Sequence, residues 1–399
     1  MKKKITIFDS ESTGHHLEYV QHIAQYVCEN SLPYDVTLVV HPEVAASVRQ
    51  HFSSPSLSIQ GIAPKIISRI ETSSSLWRRS LYEWAVARRW AEQSNAQHLV
   101  LLTLNWFQLG LVSPRAFQAG FTVSGILFSP YPRWRPAANG GMDRLRNWIK
   151  RLRKKGLLWL MMRNPNIASV HILNDPEAAE HLNRAVDPHG RFTSLPDPVP
   201  SLPKSEKPTS VYDTYSISPN RTLFLFFGTI SKRKGIIETL KAMQMLSEQE
   251  QRRGALLLLG RLKEGQESPI GEHLRKLQAK SNLEVRTDFR FVAPEELSDA
   301  LHSADVILAP YQRTEGSSGV IGHAARAHCP VIGPKDGLIG TLIRSYQLGA
   351  TAEVTQPALL SQAIAEAIEG KVSIAPHLAN QYVSERSPYK FASKIVTLE

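Results

Sequence analysis

The residues best suited to chemistry lie in the run Glu315-Gly316-Ser317-Ser318-Gly319. Two glycines flank two serines just ahead of a segment of helical composition, Val320 to Ala327. Glycine lets a ligand approach the backbone closely. The first N–H groups of a helix have no partner in the chain, and the helix dipole adds positive potential. Together they make a seat for phosphate. Glu315 is itself an anion and suits sugar hydroxyls better than phosphate. His323, four residues beyond Gly319, shares its helical face and reaches for a second hydroxyl-bearing group. A plainer reading is also open: Ser317 or Ser318 as a helix cap, with Glu315 as a favourable first-turn charge. A second cluster, Lys232-Arg233-Lys234, lies between Gly228 and Gly235. Three cations ahead of a helix attract an anion, although basic triplets are also common on solvated surfaces.

The elements that must position these residues are legible as apolar runs. Val306 to Ala309 and the run opened by Pro330-Val331-Ile332 read as buried parallel strands around the Glu315 loop. Thr222 to Phe227 reads the same way ahead of Gly228, and the helix Ile236 to Leu246 follows. Ligands of open parallel sheets sit beyond the carboxyl ends of the strands, where both clusters fall. The amino-terminal half opens with strand Lys4 to Phe8, a polar turn containing Gly14, His15 and His16, helix Leu17 to Cys28 and strand Tyr34 to Val40. A lone glycine at a strand-to-helix turn is weak evidence, and a His pair on a loop is often simply solvated. Further strands are expected at His98 to Leu104, Phe121 to Phe128, Ala168 to Leu173, Ala255 to Leu259 and Val285 to Phe291. Lys204 to Asn220, rich in Ser, Pro and Thr, reads as a linker.

The Glu315 stretch resembles the donor-site motif of retaining glycosyltransferases of the two-Rossmann-domain (GT-B) type, in the large family four. That motif has two glutamates with seven residues between them, then a short helix and a Pro-Val-Ile strand. Glu315 matches the first glutamate, which in the family contacts the donor sugar. His323 stands where the second, ribose-holding glutamate belongs; a neutral imidazole can still hydrogen-bond a diol. Gly228, Lys234 and Gly235 match the family's glycine, arginine and Lys-Gly motif, with Thr229 in place of the arginine.

The resemblance implies an α/β fold of two Rossmann-like domains facing across a cleft, with a carboxy-terminal helix crossing back to the first domain. The implied boundaries are 1–200, a linker 201–220, 221–385 and a final helix 386–399. It implies Lys234 and Glu315 as catalytic groups, and Gly14, Arg233, Lys234, Ser318 and Gly319 around the donor diphosphate. Glu315, Gly316 and Ser317 fall to the donor sugar, His323, Val292 and Arg261 to ribose and base, and His15 and His16 to the first domain's cleft. Family members carry a histidine after the strand that runs into Ser129-Pro130-Tyr131-Pro132-Arg133-Trp134; this chain has none there. Gly337-Leu338-Ile339-Gly340 resembles a small glycine turn near the family's donor site. The implied donor is a nucleotide sugar, UDP- or GDP-linked, and the acceptor a glycan or a lipid-linked molecule in cell-envelope polysaccharide or glycoconjugate synthesis.

Composition narrows the partners. The chain has 399 residues, 42% hydrophobic and 21% charged, as in a soluble globular protein of two domains. Its formal charge is +11, which favours anionic partners. No zinc knuckle, RNA-recognition signature or Arg-rich tail points to nucleic acid. Cys28 and Cys329 stand far apart, with neither disulfide nor metal spacing, so a reducing, cytoplasmic compartment is expected. No Asp-x-Asp pair suggests a metal, and no cofactor is expected. The segment Asp143 to Arg163 places Leu145, Trp148, Ile149 and Leu152 at helical spacing among Arg144, Arg146, Lys150, Arg151, Arg153, Lys154 and Lys155. Such a helix reads as a docking surface for the anionic inner face of a membrane, or as a solvated helix packing its apolar stripe on the domain. A nucleotide-sugar epimerase of similar fold and a donor-binding subunit without turnover are the alternative functions.

Overall fold

The computed structural model describes residues 2–133, 141–203 and 210–397. The chain divides into two units, Met1–Pro198 with Pro388–Glu399, and Val199–Ser387. Both are parallel α/β sheets, so the fold class expected from the sequence is the one observed.

Unit 1 carries β1 (Lys3–Asp9), β2 (Tyr34–Val40), β3 (Leu57–Gly61), β4 (His98–Leu101), β5 (Thr122–Leu127), β6 (Ile167–Leu173) and β7 (Phe192–Leu195). Their order in the sheet is β3-β2-β1-β4-β5-β6-β7. Every pairing is parallel. Side chains alternate across β1: Ile5 and Ile7 enter one core, while Phe8 enters the other. Burial on both faces explains why these strands read as unbroken apolar runs. The last helix, Pro388–Val396, belongs to this unit. Its Phe391 ring lies 4.6 Å from that of Tyr19, on helix His16–Glu29.

Unit 2 carries β8 (Thr222–Phe227), β9 (Gly254–Leu259), β10 (Glu284–Asp288), β11 (Val306–Leu308), β12 (Val331–Pro334) and β13 (Gly349–Ala352). Their order is β10-β9-β8-β11-β12-β13, again all parallel. Leu223, Leu225 and Phe227 of β8 face one core, and Phe224 and Phe226 face the other.

Several expectations need correction. The strand expected to reach Phe291 ends at Asp288, because Arg290 turns the chain by pairing with Asp288 at 3.0 Å and Glu296 at 2.8 Å, and Pro294 opens the next helix. Gly337 to Gly340 is no free turn but the first turn of helix Gly337–Ser345. The strand from His98 stops at Leu101 and gives way to a short 3-10 helix, Leu104–Trp106. Trp134, residues 204–209 of the expected linker and Leu398 of the expected last helix lie outside the described residues, and a short helix, Val211–Thr214, follows at 211. Edge strands β3 and β13, short and only half buried, were not legible as apolar runs.

Candidate functional site

In unit 2 the chain lays down β8, builds outward through β9 and β10, and then returns to place β11 on the other side of β8. Between β8 and β11 the connections leave to opposite faces of the sheet, the position at which open parallel sheets bind ligands beyond the carboxyl ends of their strands. The loop after β8 carries Gly228 to Gly235. The loop after β11 carries Tyr311 to Ser318.

The first loop is shaped by two glycines in left-handed conformations. Gly228, at φ +89°, leaves room for the Lys234 ammonium, which would lie only 2.8 Å from a Cβ at that position. Gly235, at φ +82°, ends the 3-10 turn Lys232–Lys234 and starts helix Ile236–Gln244. A Cβ on Gly235 would collide with Pro310 O of the second loop. The two loops are also tied by a hydrogen bond from Gln312 N to Arg233 O, at 3.0 Å. Neighbouring strands and bare glycine backbone therefore bring the two sequence clusters into contact.

Tyr311 sits between them. Lys234 Nζ lies 5.7 Å from the centre of its ring, and Ser318 Oγ donates to its hydroxyl at 3.0 Å. Lys234 Nζ also reaches Phe227 O, at 3.5 Å, at the end of β8. The His323 ring meets that of Phe227 edge-on, with centroids 6.1 Å apart. Lys234, Ser318 and His323 thus gather around the ends of β8 and β11. Ser318 occupies the cap position of helix Gly319–Arg326, but its side chain caps no N–H. Glu315 is half buried beside Thr314, whose chain is pinned by Leu338 N donating to Thr314 O at 2.9 Å. Gly316, Ser317 and Gly319 are half buried in the same loop, while Arg233 is exposed on the 3-10 turn. Arg261 follows β9, its backbone carbonyl accepting from Ile230 N at 2.8 Å and its guanidinium 5.4 Å from the Phe291 ring. Val292 packs partly against the unit's core.

Gly14, His15 and His16 belong to unit 1, after β1. His16 Nδ1 donates to Asp9 Oδ2 at 2.6 Å. Burial pushes the Asp9 carboxyl up despite its histidine partner. Burial works against the His16 imidazolium, but the bond and charge of Asp9 outweigh it, and the net shift is upward. His15 lies at the surface, 3.8 Å from Glu18.

No local pattern marks Tyr311, which lies between Lys234 and Ser318, or Asp9, the partner of His16. In the sequence, Lys154 reads as one more cation of a docking or solvated face. Lys154 lies four residues before Leu158 and seven before Met161, both fully buried, and that spacing was the available signal. The apolar stripe of helix Gly141–Met162 faces outward: Leu145 is 51% exposed, Trp148 60% and Leu152 53%. Among the described residues, no helix is long and apolar enough to cross a membrane, and no group of three His, Cys, Asp or Glu could hold a metal ion.

Residues 213–385 match the family described as Glycosyl transferases group 1. Solved structures share the fold across nearly the whole chain. HepE from Anabaena in complex with UDP aligns with a TM-score of 0.67 and 13% identity, covering 98% of each chain. WaaG, a glycosyltransferase involved in lipopolysaccharide biosynthesis, aligns with a TM-score of 0.62 and 15% identity, covering 99% of this chain and 100% of that one. Sucrose-phosphate synthase from Thermosynechococcus elongatus aligns with a TM-score of 0.66 and 16% identity, covering 98% and 97%. Comparison with curated proteins gives no match.

Proposed function

We propose, for a chain whose residues 213–385 match the glycosyl transferases group 1 family, that it moves a sugar from a nucleotide donor to a glycan or lipid-linked acceptor with retention of anomeric configuration. The observation that carries the reading is the meeting of the Lys234 and Glu315 loops at the switch point between β8 and β11.

The hard step is departure of a nucleoside diphosphate. Charge that grows on the leaving oxygens is best met by groups already fixed in place. Lys234, Arg233 and the amides of Ser318 and Gly319 take that role. No metal is invoked, because the two cations and the helix amides supply the counter-charge. Glu315, with Gly316 and Ser317, holds the donor sugar. His323 takes the ribose diol, and Arg261 and Val292 border the base. A uridine donor is favoured, since the HepE structures of the same fold are described with UDP and UDP-glucose.

We assign the acceptor side to unit 1 and place the enzyme on the cytoplasmic face of a membrane, in envelope glycan synthesis. Support comes from helix Gly141–Met162, whose exposed apolar stripe is bordered by Arg144, Arg146, Lys150, Arg153 and Lys155, all exposed. Each basic residue near an anionic leaflet contributes about 1 kcal/mol.

Incubation with a panel of UDP- and GDP-sugars tests the reading. Slow release of free sugar from one donor, with the anomer retained, is the expected result. Isomerised donor would make the protein an epimerase, and binding without turnover would make it a donor-binding subunit.

A further inference from the structure

Unit 1 has a hollow of its own, of about 540 Å³. It lies beyond the carboxyl ends of β1 and β4, where the strand order of the first sheet reverses. Its wall joins three parts of the unit: His16 and Glu11 after β1, Trp106 and Gln108 after β4, and Lys154 with Leu157 on helix Gly141–Met162.

The polar side of this hollow is unbalanced. Lys154 Nζ donates to Gln108 Oε1 at 2.6 Å, a neutral acceptor. Among the described residues no carboxylate pairs with that ammonium, and burial pushes it down to about 8. Gln108 is 2% exposed, and its amide nitrogen finds no acceptor. A half-buried cation and an unmatched buried donor beside it both carry a desolvation cost that an anion would relieve. The acids nearby are already matched: Glu11 accepts from Arg79 at 2.5 Å, and Asp9 from His16 at 2.6 Å. What is left over among the described residues is the Lys154 charge and the two N–H of the Gln108 amide.

The apolar side continues out of the hollow. Leu76, on its wall, is 70% exposed and opens helix Leu76–Gln93, followed at once by Trp77, 64% exposed. Leu157 sits on the helix whose outer stripe is apolar and basic. Both flanking helices therefore lead from the hollow to exposed apolar side chains.

We propose that this hollow seats the anionic head, of phosphate type, of an amphiphile whose apolar stem leaves along Leu76 and the Leu157 helix. The proposal rests on the membrane part of the functional reading and names the class of molecule the unit 1 site accepts: an acidic, lipid-anchored one.

Dihexanoyl phosphatidic acid, which is monomeric in water, is the probe, titrated calorimetrically into the full chain. One saturable site is expected, with inorganic phosphate binding more weakly and dihexanoyl glycerol not at all. Lys154→Gln should weaken the probe by about 10- to 100-fold, the loss of one charge-assisted contact. Gln108→Glu gives Lys154 an internal counter-ion; it should raise the melting temperature and abolish the probe site, so the proposal stays testable if Lys154→Gln folds poorly. Equal binding of the probe to Lys154→Gln and parent, or equal binding of phosphate-headed and neutral lipids, would overturn it. Inorganic phosphate binding as tightly as the probe would overturn the lipid assignment. UDP binding, measured in parallel, should be unchanged in both variants. Its absence from the parent would count against the proposed function and leave this site standing.

Discussion

Replacing Lys234 by alanine tests the candidate site most directly. Its ammonium has a carbonyl at 3.5 Å and an aromatic ring at 5.7 Å, and among the described residues it pairs with no carboxylate. The charge is therefore available to a ligand, and Gly228 leaves the space it occupies. A charge-assisted hydrogen bond is worth about 1.5–3 kcal/mol, so one or two of them to a diphosphate give a loss of roughly 3 kcal/mol, or about 100-fold in kcat/KM. The effect on folding should be small. A cation–ring contact of this kind contributes about 0.5–1 kcal/mol, which shifts the melting temperature of a unit this size by roughly 1–4 °C. Calorimetric titration of UDP and GDP, donor turnover and thermal melting separate the two effects. Gly228→Ala offers an independent check, since its methyl would crowd Lys234 Nζ at 2.8 Å on a φ of +89° and should weaken donor binding while Lys234 is kept. Donor affinity and turnover within about twofold of the parent in a well-folded Lys234→Ala protein, below even the smallest single contact, would remove Lys234 from the site and with it the reading of the two loops.

Other outcomes follow from the same geometry. Gly235→Ala forces a methyl into Pro310 O at a left-handed φ, so it should destabilise unit 2 by more than the 1–2 kcal/mol, roughly, of the backbone conformation alone; a melting temperature equal to the parent's would refute the packing of the two loops. Glu83 is fully buried, and burial pushes it up to about 7 from 4.5, against the pull of Arg79. The folded chain then keeps a proton that the unfolded chain releases, so stability is full below pH 4.5, falls as pH rises towards 7 and levels off above it. Glu83→Gln should flatten that stretch of the melting-temperature profile, and parallel profiles for variant and parent would contradict it. Reversing Arg144, Lys150, Arg153 and Lys155 to glutamate should release the protein from anionic vesicles, with each charge worth about 1 kcal/mol; a parent that ignores such vesicles would end the membrane assignment.

Much of this was legible in the chain itself. Burial on both faces of a parallel strand demands apolar residues at every position, so β8, with Thr222 to Phe227, announces itself at its observed bounds. The motifs around Lys234 and Glu315 were equally plain, because left-handed turns such as those at Gly228 and Gly235 restrict the residues allowed there. Three things were not. Periodicity finds the apolar stripe of helix Gly141–Met162 but not its direction, since a stripe aimed at a core and one aimed at solvent have the same spacing. Lys154 reads as one more cation until Leu158 and Met161 are seen beneath it. The place of Tyr311 between Lys234 and Ser318 depends on β11 lying beside β8, a pairing across about 80 residues of chain that no local pattern encodes. Local sequence fixes which residues must be buried and where the backbone must turn. Strand order, helix orientation and the company each charge keeps come from long-range packing, and those decide what the loops can bind.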